Sequence, residues 1–251
     1  MKAAIQQAHR YAVYLAPAEP FRGIGSRWLG RCADTGAALP AAPDGEAPPA
    51  AWTRAPAHYG LHATLKAPFR LAQDRTPPML DAAARAFARG RQPFAARLAL
   101  RNLRGFLAWC LDDSPAGDEG RRHMHALADD AVRGFDAFRA PPTPEDTARR
   151  RPEQLGAAER EMLARWGYPY VFDTFTFHIT LTGQLDPAAQ QDATARLQRL
   201  AGGHAATAMP VARISLYVQP EPGADFVVAR HYGFSGAVED GAGAAWLGTA
   251  A

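Results

Sequence analysis

Two octapeptides in the chain share one layout: Tyr59-Gly60-Leu61-His62-Ala63-Thr64-Leu65-Lys66 and Phe175-Thr176-Phe177-His178-Ile179-Thr180-Leu181-Thr182. Both follow the two-residue period of a half-buried strand. Read as strands, the first puts Tyr59, Leu61, Ala63 and Leu65 on one face and His62, Thr64 and Lys66 on the other. The second puts Phe175, Phe177, Ile179 and Leu181 on one face, and Thr176, His178, Thr180 and Thr182 opposite. A single histidine on a strand is usually structural. Here the pattern aromatic-x-apolar-His-x-Thr-Leu occurs twice, and that repetition points to chemistry.

Residues two apart on a strand are separated by about 6.6–6.8 Å, so His and Thr of one motif can straddle one anion such as a phosphate. The threonine hydroxyl donates to a non-bridging oxygen. Two such motifs facing each other place an imidazole on either side of phosphorus. One ring takes a proton and the other gives one, because the unperturbed histidine pKa of ~6.5 suits both roles. The polar faces offer two histidines and no carboxylate, a poor ligand shell, so no metal and no cofactor are called for.

The elements that must carry these motifs recur as well. Arg10–Leu15 reads as a first strand, and 19–29 as a short helix with Phe21, Ile24, Trp28 and Leu29 on one side. Residues 33–56 hold five prolines and read as a long irregular loop. After the first motif come a helix over 77–90, strands over 94–101 and 105–111, a helix over 118–138, and helical pieces over 141–151 and 157–166. After the second come a helix over 186–201 and strands over 209–218 and 225–233. Leu98 follows His62 by 36 residues, and Ile214 follows His178 by 36. A strand-helix-strand-strand unit used twice predicts an α+β fold with antiparallel sheet and outer helices.

Composition bounds the rest. The 251 residues are 47% hydrophobic and 21% charged, which excludes a disordered, collagen-like or coiled-coil chain. No apolar run is long enough to span a membrane, and MKAAIQQAHR has no apolar stretch of a secretion signal. Cys32 and Cys110 are too few for a disulfide scaffold, so a reducing cytoplasm is the expected setting. The net charge is +3, and Lys2 and Lys66 are the only lysines among 28 basic residues. There is no Walker A loop, no G-x-S-x-G and no H-E-x-x-H.

The paired His-x-Thr motifs resemble those of the two-histidine (2H) phosphoesterases. The stretches RYAVYLAP, SRWLGRCADTG, YGLHATLKAPFRL, FRAPPTPEDTARRRPEQL and WGYPYVFDTFTFHITLTGQL are similar to the branch encoded beside bacterial phosphonate-degradation genes. The resemblance implies a bilobed fold, with two pseudo-symmetric antiparallel sheet lobes and outer helices around a central cleft. It implies one domain over 1–236, with lobes near 57–117 and 172–235, connecting helices over 118–171, and a flexible tail over 237–251. It implies a phosphoric diester hydrolase, a metal-independent cyclic phosphodiesterase with His62, His178, Thr64 and Thr180 as catalytic residues. The substrate would be a 2′,3′-cyclic nucleotide, an RNA end, or a small cyclic sugar phosphate such as a phosphoribosyl cyclic phosphate. An RNA-binding or RNA-end-processing module using the same cleft is the alternative. Candidate substrate contacts are Lys66, Tyr14, Tyr168, Tyr217 and Arg139. The oligomeric state is left open.

Overall fold

A computed structural model describes residues 6–40 and 47–248. Its strands are β1 (Arg10–Leu15), β2 (Ala63–Phe69), β3 (Phe94–Ala96), β4 (Leu98–Leu103), β5 (Phe106–Leu111), β6 (His178–Thr180), β7 (Met209–Val211), β8 (Arg213–Gln219), β9 (Val227–Gly233) and β10 (Val238–Asp240). Its helices are α1 (Phe21–Leu29), α2 (Ala50–Tyr59), α3 (Pro77–Ala88), α4 (Asp118–Phe135), α5 (Pro144–Ala148), α6 (Ala157–Trp166) and α7 (Pro187–Ala201). The result is a mixed α+β fold. One eight-stranded sheet runs in the order β10-β9-β8-β1-β2-β6-β5-β4, and β3 and β7 form a separate ribbon.

The ladder is continuous across both repeated units. The hairpin β4-β5 follows β2 in the chain but lies beside β6. The hairpin β8-β9 follows β6 but lies beside β1, which separates it from β2. Each unit thus lends its hairpin to the other, and the two motif strands become direct neighbours at the centre.

Strand alternation divides the sheet into two faces. Tyr11, Val13 and Leu15 of β1, Ala63 and Leu65 of β2, Ile179 of β6, and Ile214, Leu216 and Val218 of β8 enter the main core. That core is closed by Phe21 and Trp28 of α1, Leu80 and Ala84 of α3, Leu127 and Ala131 of α4, and Leu197 of α7. The Trp28 indole also donates to the Leu181 carbonyl (2.9 Å). The opposite face carries a smaller cluster: Ala12, Tyr14, Ala16, Ala33, Tyr217, Phe226 and Val228. Helix starts follow their caps: Thr76 accepts from Met79 N (3.4 Å) at α3, and Asp186 accepts from Ala189 N (2.9 Å) at α7.

Three expectations are corrected. The stretch 33–56 is not all loop, since α2 begins at Ala50; residues 41–46 of that stretch lie outside the described residues. Pro56 sits inside α2 and has no N–H for the Trp52 carbonyl, which instead accepts from Gly183 N (2.7 Å). That bond ties the helix to the chain just after β6. The motif strands are also shorter than the alternation suggests. Tyr59 ends α2 instead of starting a strand, and the chain before His178 makes a 3-10 turn over Phe172–Thr174. Residues 238–247, read as part of a flexible tail, supply β10 and a 3-10 turn that buries Leu247 completely. The Tyr11 hydroxyl donates to the Trp246 carbonyl (3.1 Å). Among the described residues no helix is long and apolar enough to cross a membrane.

Candidate functional site

Ala63 of β2 pairs with Ile179 of β6 in antiparallel register. Continuing that register by one residue sets His62 opposite Thr180 and Thr64 opposite His178. All four side chains point away from the main core, because their neighbours Leu61, Ala63, Leu65, Phe177, Ile179 and Leu181 point into it. The two histidines are diagonal neighbours across the ladder, a relation that separates backbones by roughly 7–8 Å. A local two-fold axis through the Ala63–Ile179 pair relates one motif to the other.

Both rings are aimed in the same way. His62 Nδ1 lies 2.8 Å from the Gly60 carbonyl oxygen, and His178 Nδ1 lies 2.8 Å from the Thr176 carbonyl oxygen. A carbonyl only accepts, so Nδ1–H donates and Nε2 is left to face a ligand. Each histidine is therefore oriented by the backbone two residues before it. Gly60 serves this end with φ 72° and ψ 168°, a conformation suited to glycine. Burial pushes the His62 pKa down to about 4, against the Gly60 hydrogen bond, and His178 presses it further down. Burial lowers the His178 pKa too, and the nearby Arg104 guanidinium adds to the effect. Both rings thus favour the neutral form, which leaves Nε2 able to accept a proton.

Tyr14, opposite Thr64 on β1, stacks on His62 at 3.8 Å between centroids with 19° between planes. Tyr168 and Tyr170 lie edge to face and, with Thr64, Thr176 and His178, line a small cavity beside the second motif. Tyr217 is buried beneath Tyr14, and its hydroxyl donates to the Leu61 carbonyl (3.1 Å). Lys66 leaves the row of Thr64. A bulge shifts the β1–β2 register between Thr64 and Lys66, and the buried ammonium reaches Asp136 (2.7 Å) and the Val132 carbonyl (3.3 Å). Arg139 donates to Asp136 (2.9 Å) and to the Arg165 carbonyl (3.1 Å), and it lines a larger cavity that also includes Tyr59. Tyr59 is in turn 6.1 Å from the His62 ring.

Two residues of that cavity, Arg10 and Arg70, escaped the sequence reading. Their signal was the antiparallel pairing of β1 with β2, which sets Tyr11 beside Phe69 and so brings the start of one strand to the end of the other. A hydrogen-bonded chain from Ser215 Oγ to His231 Nδ1 (2.6 Å) and from His231 Nε2 to Asp34 (2.7 Å) also went unread. Ser215 is wholly buried, so this chain is a structural tie between β8, β9 and the loop after α1. Burial alone would raise the Asp34 carboxyl, but the His231 hydrogen bond and the Arg22 guanidinium hold it at about 2. Among the described residues no group of three or more His, Cys, Asp or Glu side chains is placed to hold a metal ion.

Fold and site together define a mixed α+β protein in which one large antiparallel sheet carries two His-x-Thr pairs on adjacent strands. The family model described as protein of unknown function (DUF1045) matches residues 64–227, and the chain belongs to that family. A ribose 1,5-bisphosphate phosphokinase PhnN of Laribacter hongkongensis (strain HLHK9) is 40% identical over 225 residues, covering 88% of this chain and 51% of the relative. Its namesake in Janthinobacterium sp. (strain Marseille) is 34% identical over 249 residues, covering 90% and 51%. The chain spans about half the length of these curated relatives. Their names correct one expectation: they are those of a phosphokinase, and the expected phosphoric diester hydrolase is set aside.

Proposed function

We propose that this chain binds a phosphorylated ribose of phosphonate metabolism and moves protons at its phosphate during phosphoryl-group transfer. The observation that carries the reading is the mutual placement of the motifs: four polar side chains on one face across a single antiparallel pair. In this reading the two halves of the sheet, on either side of the β2–β6 contact, act as the lobes of a two-histidine fold. The Thr64 and Thr180 hydroxyls donate to non-bridging oxygens. One imidazole Nε2 takes the proton of the attacking oxygen of the ribose phosphate, whose bond to phosphorus forms as the bond to the departing oxygen of the phosphoryl donor breaks. The other, protonated, hands a proton to that departing oxygen. A bound phosphate dianion raises the pKa of the ring that must carry a proton, offsetting its burial. The ribose phosphate comes from the names of the relatives. The phosphoryl donor in this reading is a nucleoside triphosphate, as the phosphokinase names of the relatives suggest, and the His-x-Thr pairs hold the phosphate that is transferred. The net charge of only +3, with Asp and Glu interspersed among the arginines, does not favour an extended RNA strand.

The test is phosphorus NMR of ribose 5-phosphate and ribose 1,5-bisphosphate incubated with the protein, with and without a nucleoside triphosphate. New phosphorus resonances are expected with wild type. His62→Ala and His178→Ala should each slow their appearance by ~10²–10⁴, the usual contribution of a general acid or base. Unchanged turnover in either variant, or no interaction with any ribose phosphate, would overturn the reading.

A further inference from the structure

Beside the paired histidines the structure holds a second concavity, of about 160 Å³, whose charge the proposed chemistry does not use. It is lined by Arg10, Arg70, Arg139, Arg149 and Arg150, with Asp146 as its one acidic lining residue. These residues come from four places, Arg139 following the turn Asp136–Phe138 at the end of α4. Arg10 opens β1, Arg70 follows β2, and Arg149 and Arg150 follow α5, a one-turn helix fixed by a capping box between Thr143 and Asp146. Asp146 is already shared, with Arg70 at 2.7 Å and Arg149 at 3.7 Å. Arg139 is paired with Asp136. Arg10 donates its Nε to Gln219 (2.7 Å) and lies over the Phe226 ring, and among the described residues it has no carboxylate partner. The Arg150 guanidinium lies over the Tyr168 ring at 4.8 Å, with no carboxylate partner among the described residues. Positive charge is left over at this place.

The surroundings register that surplus. Burial depresses the Arg10 guanidinium below its ordinary value, and Arg149 and Arg150 press the same way. His9 is likewise lowered by burial and then by Arg10 and Arg70. Like charges gathered in a concave wall are matched by a bound anion, and the planar guanidinium fork suits phosphate oxygens. Two tyrosines link the cavity to the histidines: Tyr59 lines it and lies 6.1 Å from the His62 ring, and Tyr168 carries the Arg150 guanidinium and lines the small cavity at His178.

We propose that this cavity is a second anion subsite, which takes a phosphomonoester on the same substrate whose other phosphate lies between His62 and His178. The proposal deepens the reading of the histidine site and rests on it for the second phosphate. It assigns the substrate class: a small sugar carrying two phosphate groups.

The experiment is calorimetric titration of the whole chain with inorganic phosphate at low salt. Wild type is compared with Arg149→Gln/Arg150→Gln and with His62→Ala/His178→Ala, each checked for fold by circular dichroism. Wild type should take two phosphates. The arginine variant should lose one of them, with affinity weakened roughly 10- to 100-fold, as expected for lost hydrogen bonds to a charged group. The histidine variant should keep that one. If Arg149→Gln/Arg150→Gln fails to fold, the single Arg150→Gln, which removes no ion pair, carries the same expectation. Unaltered phosphate binding in the arginine variants overturns the subsite while leaving the histidine reading intact. Loss of the arginine-dependent phosphate alone, with no phosphate at the histidines, overturns the histidine reading and leaves the subsite standing. The shared substrate is tested with ribose 1,5-bisphosphate against ribose 5-phosphate. Wild type should favour the bisphosphate, and the arginine variant should lose that preference. Equal affinities in wild type would overturn the link between the two sites.

Discussion

His62 is at once a proposed proton carrier and a source of pH-dependent stability. Its folded pKa is about 4 and its ordinary value 6.5, with burial as the main cause. Between those pH values the unfolded chain holds a proton that the folded chain does not. Stability therefore falls as pH is lowered from about 6.5 to about 4, by on the order of 1–3 kcal/mol. Denaturant titrations at pH 7 and pH 4.5 should show the loss, and His62→Gln should shrink it; an equal loss in the variant would place its origin elsewhere. Gly60 acts on the same ring through its carbonyl. A Cβ at this position would stand 2.6 Å from the Ala33 Cβ on a backbone at φ +72°. Gly60→Ala should thus misdirect His62 and lower turnover by more than tenfold, a misplacement effect. It should also cost roughly 1–3 kcal/mol of stability through backbone strain. Retention of full turnover would show that the carbonyl does not aim the ring.

At the level of elements, what could be read beforehand was what local chemistry decides. The helices α3 and α7 follow from a capping side chain with proline at the first turn, and α4 from its apolar stripe Met124, Leu127, Ala131 and Phe135. The faces of β1, β2, β6 and β8 follow from alternation. What escaped depended on distant partners. α2 holds Pro56 at a point where a helix ordinarily breaks, and survives because Gly183 takes up the freed carbonyl. Lys66 looks like the next member of a polar row, but a bulge set by pairing with β1 turns it toward Asp136. Arg10 and Arg70 lie 60 residues apart and become neighbours only through strand register. The C-terminal segment looked loose because it is short and rich in small residues, whereas Leu247 is completely buried. Leu247→Ala should cost about 2–4 kcal/mol in chemical denaturation, the range for emptying a buried leucine site. A change within ±0.5 kcal/mol, the range of a surface substitution, would mean that the segment is not part of the core.

For the whole molecule, the contact that joins the two halves of the sheet is narrow. β6 has three residues, and it pairs with β2 at the single step Ala63–Ile179. A ligand held by both His-x-Thr pairs spans that contact. Binding should stabilise the fold by mass action, about 2.7 kcal/mol at one hundred times Kd. Calorimetric melting with ribose 1,5-bisphosphate should show a higher Tm, and hydrogen exchange should slow at the amides of 178–180. In His62→Ala/His178→Ala the slowing at 178–180 should vanish and the rise in Tm should shrink to what the arginine cavity alone supports, and an equal rise in Tm there would locate binding away from the histidines.

The local two-fold axis through Ala63 and Ile179 carries a cost in discrimination. A constellation that maps onto itself cannot tell a ligand from the same ligand turned end for end. Direction has to come from what breaks the symmetry: a tyrosine stacked flat on His62, a phenylalanine ring edge near His178 at 5.9 Å, and a wall of arginines reached past Tyr59. The polarity of the reaction, which imidazole gives and which takes, is then a property of the unequal walls and not of the motifs. Exchanging the aromatic neighbours of the two rings is the change that would reverse it.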